Sequence, residues 1–285
     1  MAGAEGGLRI GEFSRRVGVS PELLRAWERR YGLLRPIRSR GGFRLYTRED
    51  AERVVRMQQA LAEGFSAAEA ARRALTQPPA GASALEAARE RLLTAAKAYD
   101  DAAVHAVLDE ALAGFAFETV VRELIVPVLR RIGEEWEQGR LDVGHEHFAS
   151  TIVRERLLSL ARVWGRGGGP LAVLACAPGE RHDIGLIAFG LLLRSHGWRI
   201  VFLGADTPLA TLAHTVEQTA PRLVVVASND GALLQAAAAN LRTLARAAPL
   251  VVSGAGASER LCARLRLDRL DGDLVAAAEE VGAAV

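Results

Sequence analysis

The sequence predicts a multidomain α/β protein: an N-terminal winged helix-turn-helix, a four-helix bundle, and a C-terminal doubly wound, Rossmann-like parallel sheet. Three observations lead there. Residues 1–75 carry 15 Arg against 9 acids, whereas residues 76–285 carry 21 basic residues against 25 acids, so the overall charge of +2 hides a basic first domain. Residues 85–165 repeat apolar positions at helical spacing, as in Val120, Val121, Leu124, Ile125 and Leu129, without strand alternation. Residues 170–285 alternate β-rich runs with helical stretches, the pattern of parallel βαβ units.

The 285 residues, at roughly 150 per domain, make two or three compact units. A hydrophobic share of 50% with 25% charged residues excludes a mainly disordered chain. No apolar run approaches the ~20 residues that span a bilayer, and the start, MAGAEGGLRI, has no charged segment leading into an apolar one. A cytoplasmic protein without a membrane partner is expected. Two cysteines, Cys176 and Cys262, exclude a disulfide scaffold and a Cys-rich zinc site, and both sit in apolar settings that suit small buried side chains.

In the first unit, residues 10–17 form a short helix. Ser20-Pro21-Glu22 then supplies an N-cap with Pro at the first helical position, starting a helix to about Arg30. Gly41-Gly42 followed by Phe43, Leu45 and Tyr46 predicts a tight hairpin, and Thr47 caps a helix to about Ala62. Ser66 to Glu69 matches a capping box. Residues 76–84, TQPPAGASA, predict a linker, and GRGGGP at 165–170 forbids a continuing helix. Strands are expected at 171–176, 200–203, 223–227 and 250–253, with ligands bound outside their carboxyl ends.

Two helices joined by a turn at Gly18 make a helix-turn-helix whose second helix presents Arg25, Arg29 and Arg30 to a major groove. Arg44, near the tip of the hairpin, would reach the adjacent backbone or minor groove as part of a wing. The order of R-x-W-E-R-R-Y-G, Arg35-Pro36 and G-G-x-R-x-Y resembles the winged-helix DNA-binding domain of the MerR family of regulators. The resemblance implies operator DNA as partner, with Trp27 and Tyr31 in the core. It also implies palindromic sites bound by dimers that pair through a long helix after the wing. Only the helix at 47–62 and a short follower stand here, so assembly is expected downstream.

The loop after the first strand of the third unit reads Pro178-Gly179-Glu180-Arg181-His182-Asp183-Ile184-Gly185. An imidazole at a strand's carboxyl end, flanked by acids, is a good transition-metal ligand, because a nearby carboxylate fixes its tautomer and raises its basicity. Gly185 lets the following helix start close to a bulky ligand. The segment resembles the cobalamin-binding motif D/E-x-H-x-x-G. That resemblance implies His182 as the lower axial ligand of cobalt, displacing the dimethylbenzimidazole tail, with Glu180, Asp183 and Gly185 beside it. It also implies that the detached tail lies near Ser228, Asn229, Ser253, Gly254 and Gly256.

The middle unit contains Trp136 and, in the W-x9-E-H pattern, Glu146 and His147. With a basic domain in front and ERHDIG behind, the whole chain resembles light-responsive adenosylcobalamin repressors of the CarH or LitR kind. The resemblance implies adenosylcobalamin as cofactor, with Trp136 packed over the adenosyl group and Glu146 and His147 lining the same pocket. Arg181, Asp206 and Gly197 correspond to positions in head-to-tail contacts of a homo-oligomer, dimer or tetramer. In that family the residue after the Trp is commonly His, which takes the upper cobalt position after photolysis. Here it is Glu137, a poorer cobalt(III) ligand, so water, His145 or His147 is expected above the metal.

The function expected from this resemblance is a light-released repressor rather than an enzyme. The rivals are a cobalamin-supply sensor indifferent to light, a corrinoid methyl-carrier module, and a regulator whose pocket takes another tetrapyrrole.

Overall fold

A computed structural model describes residues 8–38, 42–76, 80–270 and 272–283. The chain divides into two compact units, Met1–Ala84 and Leu85–Val285.

The first unit contains helices α1 (Ile10–Val17) and α2 (Pro21–Tyr31), a two-stranded antiparallel wing β1 (Ile37–Arg38) and β2 (Arg44–Leu45), then α3 (Arg48–Ala62) and α4 (Ala67–Thr76). Phe13, Leu24, Trp27, Leu33, Tyr46 and Met57 form its core, and Tyr31 packs against it half-buried. The expected caps are made: the Ser20 hydroxyl accepts from the Leu23 N–H at 3.3 Å, and Ser66 and Glu69 exchange hydrogen bonds as a capping box. Residues 39–41, which hold the expected Gly41 turn, lie outside the described residues.

Asp50 carries more than its place in the Thr47 capping box requires. Its buried carboxylate accepts from the backbone N–H of Arg35 at 2.8 Å and of Thr47 at 3.0 Å, and pairs with Arg53 Nη2 at 3.0 Å. One side chain thus ties the segment leaving α2 to the start of α3.

In the second unit, α5 (Ala80–Lys97), α6 (Asp101–Gly114), α7 (Phe117–Val120), α8 (Val126–Glu137) and α9 (Val143–Leu160) form the helical layer. Part of the expected linker at 76–84 is helical, since α5 begins at Ala80; residues 77–79 lie outside the described residues. α7 and α8 are one helix with a π turn at Val121–Ile125 between them. Pro127 explains the widening, because it has no N–H to donate and its ring crowds the carbonyl four residues back.

The sheet comprises β3 (Leu171–Cys176), β4 (Arg199–Gly204), β5 (Leu223–Ala227), β6 (Leu250–Ser253) and β7 (Asp268–Arg269), all parallel in the order β4-β3-β5-β6-β7. Side chains alternate across it. Ala172, Leu174 and Cys176 join the core shared with the bundle, α10 (Ile184–Ser195) and α14 (Leu274–Ala283). Val173, Ala175 and Ala177 face α11 (Leu209–Thr219), α12 (Gly231–Leu244) and α13 (Glu259–Leu265). The chain leaves β3 toward β4 on one side and returns to β5 on the other, which opens a crevice at the carboxyl ends of β3 and β5. Among the described residues, no helix is long and apolar enough to cross a membrane.

The Asp50 network is tested by Asp50→Ala, which leaves the Arg53 guanidinium buried without this partner. A loss of about 3 kcal/mol is expected in urea unfolding of the chain, well above the ~1 kcal/mol of a lost cap alone.

Candidate functional site

The crevice is lined by the loop after β3, residues 177–183, and the loop after β5, residues 228–230. Glu180 joins them. Its carboxylate is buried, and Oε2 accepts from the Asn229 N–H at 2.6 Å and the Ser228 hydroxyl at 3.1 Å. Oε1 accepts from the His182 N–H at 2.8 Å and lies 2.6 Å from His182 Nδ1. Burial pushes the Glu180 carboxyl up, but the hydrogen bonds from His182, Asn229 and Ser228 together outweigh it and leave its pKa at about 2. A charged carboxylate on Nδ1 leaves Nε2 as the ring nitrogen not engaged by Glu180, on a side chain that is 71% exposed.

The third loop at this edge fixes the first. Asp206, at φ 47°, accepts from the Gly179 N–H at 2.6 Å and donates its own N–H to the Glu180 carbonyl at 2.7 Å. Arg181 is exposed beside it. Gly197 stands at the opposite, amino edge, in the turn into β4.

The two acids flanking His182 have separate tasks. Asp183 does not support the imidazole: its buried carboxylate takes Arg154 of α9 bidentately, Nε to both oxygens at 2.8 and 3.0 Å and Nη2 at 2.8 Å. The sequence reading missed Arg154, since nothing local marks one arginine of a helix as the partner of a distant loop.

Two sets of glycines differ in what demands them. A Cβ at Gly254 would sit 2.4 Å from the Ser228 carbonyl oxygen, and one at Gly256 would sit 2.6 Å from the Gly231 nitrogen. Both are therefore required by the packing of the β6 loop on the β5 loop, reinforced by Asn229 Oδ1 accepting from the Ala255 N–H at 3.2 Å and Ser253 O accepting from the Ser228 N–H at 2.9 Å. A Cβ at Gly185 meets no protein atom within 4 Å. Among the described residues nothing requires glycine there, which leaves open space over the first turn of α10.

The residues expected above such a group sit around the junction of α8 and α9. Trp136 lies in the last turn of α8 and is 46% exposed, unusual for a large apolar side chain. Glu146 Oε2 lies 2.7 Å from His147 Nδ1, and His147 is 72% exposed. His145 is instead tied down: its Nδ1 lies 2.9 Å from Asp142 Oδ1, its ring stacks on Tyr99 at 4.4 Å, and it is 17% exposed. Cys176 and Cys262 are buried, and burial pushes the Cys176 thiol up to about 12, which makes it a poor nucleophile.

In the first unit Arg25, Arg29 and Arg30 are exposed on α2, and the Arg30 guanidinium lies 5.5 Å from the centroid of the Tyr31 ring. Arg44 Nε is 3.3 Å from Glu28 Oε1. The same carboxylate accepts the Tyr46 hydroxyl at 3.0 Å, which ties wing to helix.

A basic winged helix-turn-helix followed by a helical layer and a parallel sheet with a carboxylate-held imidazole defines a MerR-type DNA-binding regulator with a B12-binding domain. The family model for MerR HTH family regulatory proteins matches residues 8–76, and that for the B12 binding domain matches residues 88–160. The HTH-type transcriptional repressor CarA of Myxococcus xanthus is 38% identical over 260 residues, covering 89% of this chain and 88% of CarA. CarH of the same organism is 36% identical over 289 residues, covering 95% of this chain and 97% of CarH. The chain belongs to this family of transcriptional repressors, and is a regulator rather than an enzyme. The Methanosarcina barkeri monomethylamine corrinoid protein shares the fold, with a TM-score of 0.58 at 17% identity over 68% of this chain and 96% of that one.

The depressed Glu180 pKa has a definite sign. Its contribution to stability is fully present above the ordinary carboxylate value of 4.5 and is lost as pH falls toward about 2. Comparing native chain with Glu180→Gln in urea unfolding from pH 7 to 2.5, without cofactor, the difference of about 3 kcal/mol at neutral pH should shrink below pH 4.5. A pH-independent difference would contradict the assignment.

Proposed function

We propose that this chain is a light-responsive repressor that binds adenosylcobalamin base-off with His182 as the lower axial ligand. In the dark it assembles into a homo-oligomer and holds operator DNA, and light releases it. The observation that carries the reading is the exposed imidazole of His182 at the carboxyl end of β3, with Nδ1 held by the buried Glu180 carboxylate so that Nε2 is the nitrogen left for a ligand. Bound adenosylcobalamin supplies a cobalt–carbon bond that visible light cleaves.

The chain's own residues have distinct parts. Glu180 and Ser228 hold the imidazole in its coordinating tautomer, Gly185 leaves room for the ring, and the loops at Asn229, Ser253, Gly254 and Gly256 border the tail. Trp136, Glu146 and His147 cover the upper face. Arg181 and Asp206 at one edge and Gly197 at the other are suitably placed for a head-to-tail contact. Oligomerisation brings several basic domains to one operator, and linked modules bind far more tightly than single ones. Arg25, Arg29, Arg30 and Arg44 supply the phosphate and base contacts.

Glu137 favours a second reading, a cobalamin-supply sensor without a light response. The family's usual His is absent there, and on α9 only His147 combines exposure with a ring nitrogen not engaged by its carboxylate neighbour.

The deciding experiment is the visible spectrum of the chain with adenosylcobalamin, dark and after green illumination, with size-exclusion elution of the same samples. Conversion with a change of assembly supports the photoreceptor. Photolysis with unchanged assembly supports the supply sensor, and no binding removes both. His182→Ala should abolish the His-on spectrum, while His147→Ala and not His145→Ala should alter the illuminated one. On DNA, Arg29→Ala should weaken binding to all sequences alike and reduce the logarithmic salt slope by about 1.

A further inference from the structure

Neither Arg154 nor Asp183 has a part in the function proposed above, and the inference they carry rests on that cobalamin reading. Asp183 directly follows His182 and occupies the N-cap position of α10, yet its side chain makes no capping hydrogen bond. An aspartate there ordinarily accepts from the first turn of its own helix. This one is buried and committed to the bundle, through three contacts of 2.8 to 3.0 Å with Arg154.

A guanidinium gripped bidentately by a carboxylate fixes separation and plane together, which apolar packing does not. α9 and α10 already share the apolar core of the second unit, so the pair is not needed merely to bring them together. Arg154 also lies seven residues after His147, two turns further along the same side of α9 and about 10 Å along its axis. The residue beside the lower ligand is thereby joined to the helix that bears the groups for the upper face.

We infer that Arg154 is a positioning residue that registers the bundle over the ring, so that the bundle discriminates a bulky upper ligand from a small one. Discrimination then depends on the Arg154–Asp183 pair, whereas coordination by His182 does not.

The test uses the full chain with adenosylcobalamin and hydroxocobalamin as probes. Its main variant combines Arg154→Gln with Asp183→Asn, which leaves no unpaired buried charge. The expected result is about a tenfold loss of affinity for adenosylcobalamin and less than about threefold for hydroxocobalamin. The nitrogen splitting of the cobalt(II) paramagnetic resonance signal, recorded with 15N-histidine-labelled chain so that a protein imidazole is told from the cofactor's own dimethylbenzimidazole, should persist as the doublet of 15N. Arg154→Lys keeps the charge without the fork and should show an intermediate loss. In the cofactor-free chain, the two single variants and the double variant in urea unfolding should give a non-additive cycle.

Equal losses for both cobalamins, or loss of the nitrogen splitting, would overturn the inference in favour of a general structural role. Unchanged binding of both by the folded double variant would overturn it as well, leaving the cofactor reading intact. If the native chain bound neither probe, the cofactor reading itself would fall and this inference with it.

Discussion

The carboxylate of Glu180, buried where β3 ends, accepts hydrogen bonds from the loop that carries His182 and from the loop after β5. Burying an ionised group is costly unless every lone pair is engaged, and here four donors meet the two oxygens. The cost is offset only in one arrangement of the two loops, so the carboxylate specifies that arrangement. The crevice at the strand-order reversal, the tautomer of His182 and the position of Asn229 all follow from it. Asp206 braces the same loop from β4 through the Gly179 N–H and the Glu180 carbonyl, so three neighbouring strand ends of the sheet converge on the loop that carries His182.

The DNA-binding unit shows a parallel economy at Glu28. One carboxylate oxygen accepts the Tyr46 hydroxyl and the other meets Arg44, which holds the wing to α2. Burial and the Glu28 hydrogen bond push the Tyr46 phenol up to about 12, so it remains a neutral donor throughout the physiological range. A reading surface fixed in this way is poorly suited to being reshaped by a signal. Under the proposed mechanism, control of DNA affinity therefore falls to the number of such surfaces held together, and the affinity of a multivalent complex is lost steeply when its links part.

Much of this was legible because its causes are local. Strands buried on both faces read as continuous apolar runs, and the expected spans 171–176, 223–227 and 250–253 coincide with β3, β5 and β6. Caps at Ser20, Thr47 and Ser66 are chemistry within one turn. β7 escaped because it is two polar residues, Asp268 and Arg269, at the sheet edge. The spacing of ERHD set acids on either side of His182 but not which one supports it. That choice depends on Ser228 and Asn229 arriving from another strand and on Arg154 drawing Asp183 away. Long-range pairings of this kind are properties of how the bundle docks on the sheet, and no window of sequence contains them.

The amino end of α9 is as firmly held as its middle. Asp142 caps the helix through the His145 N–H at 3.1 Å, accepts the Tyr99 hydroxyl at 3.1 Å, and engages the His145 ring. Tyr99 itself sits at φ 53°, a conformation that a non-glycine residue keeps only where surrounding contacts over-determine it. Stacking on His145 and an edge contact with Phe148 supply those contacts. A helix pinned at the Tyr99–Asp142 corner and again at Arg154 does not bend easily between the two; with 1.5 Å of rise per residue it behaves as a short rod. Under the proposed function, a displacement imposed at His147 would be carried to Asp183, next to His182, because the intervening turns are packed and hydrogen-bonded. Coupling between two sites needs an element whose position both of them bias. Under the proposed function α9 would be that element, since it carries both His147 and Arg154.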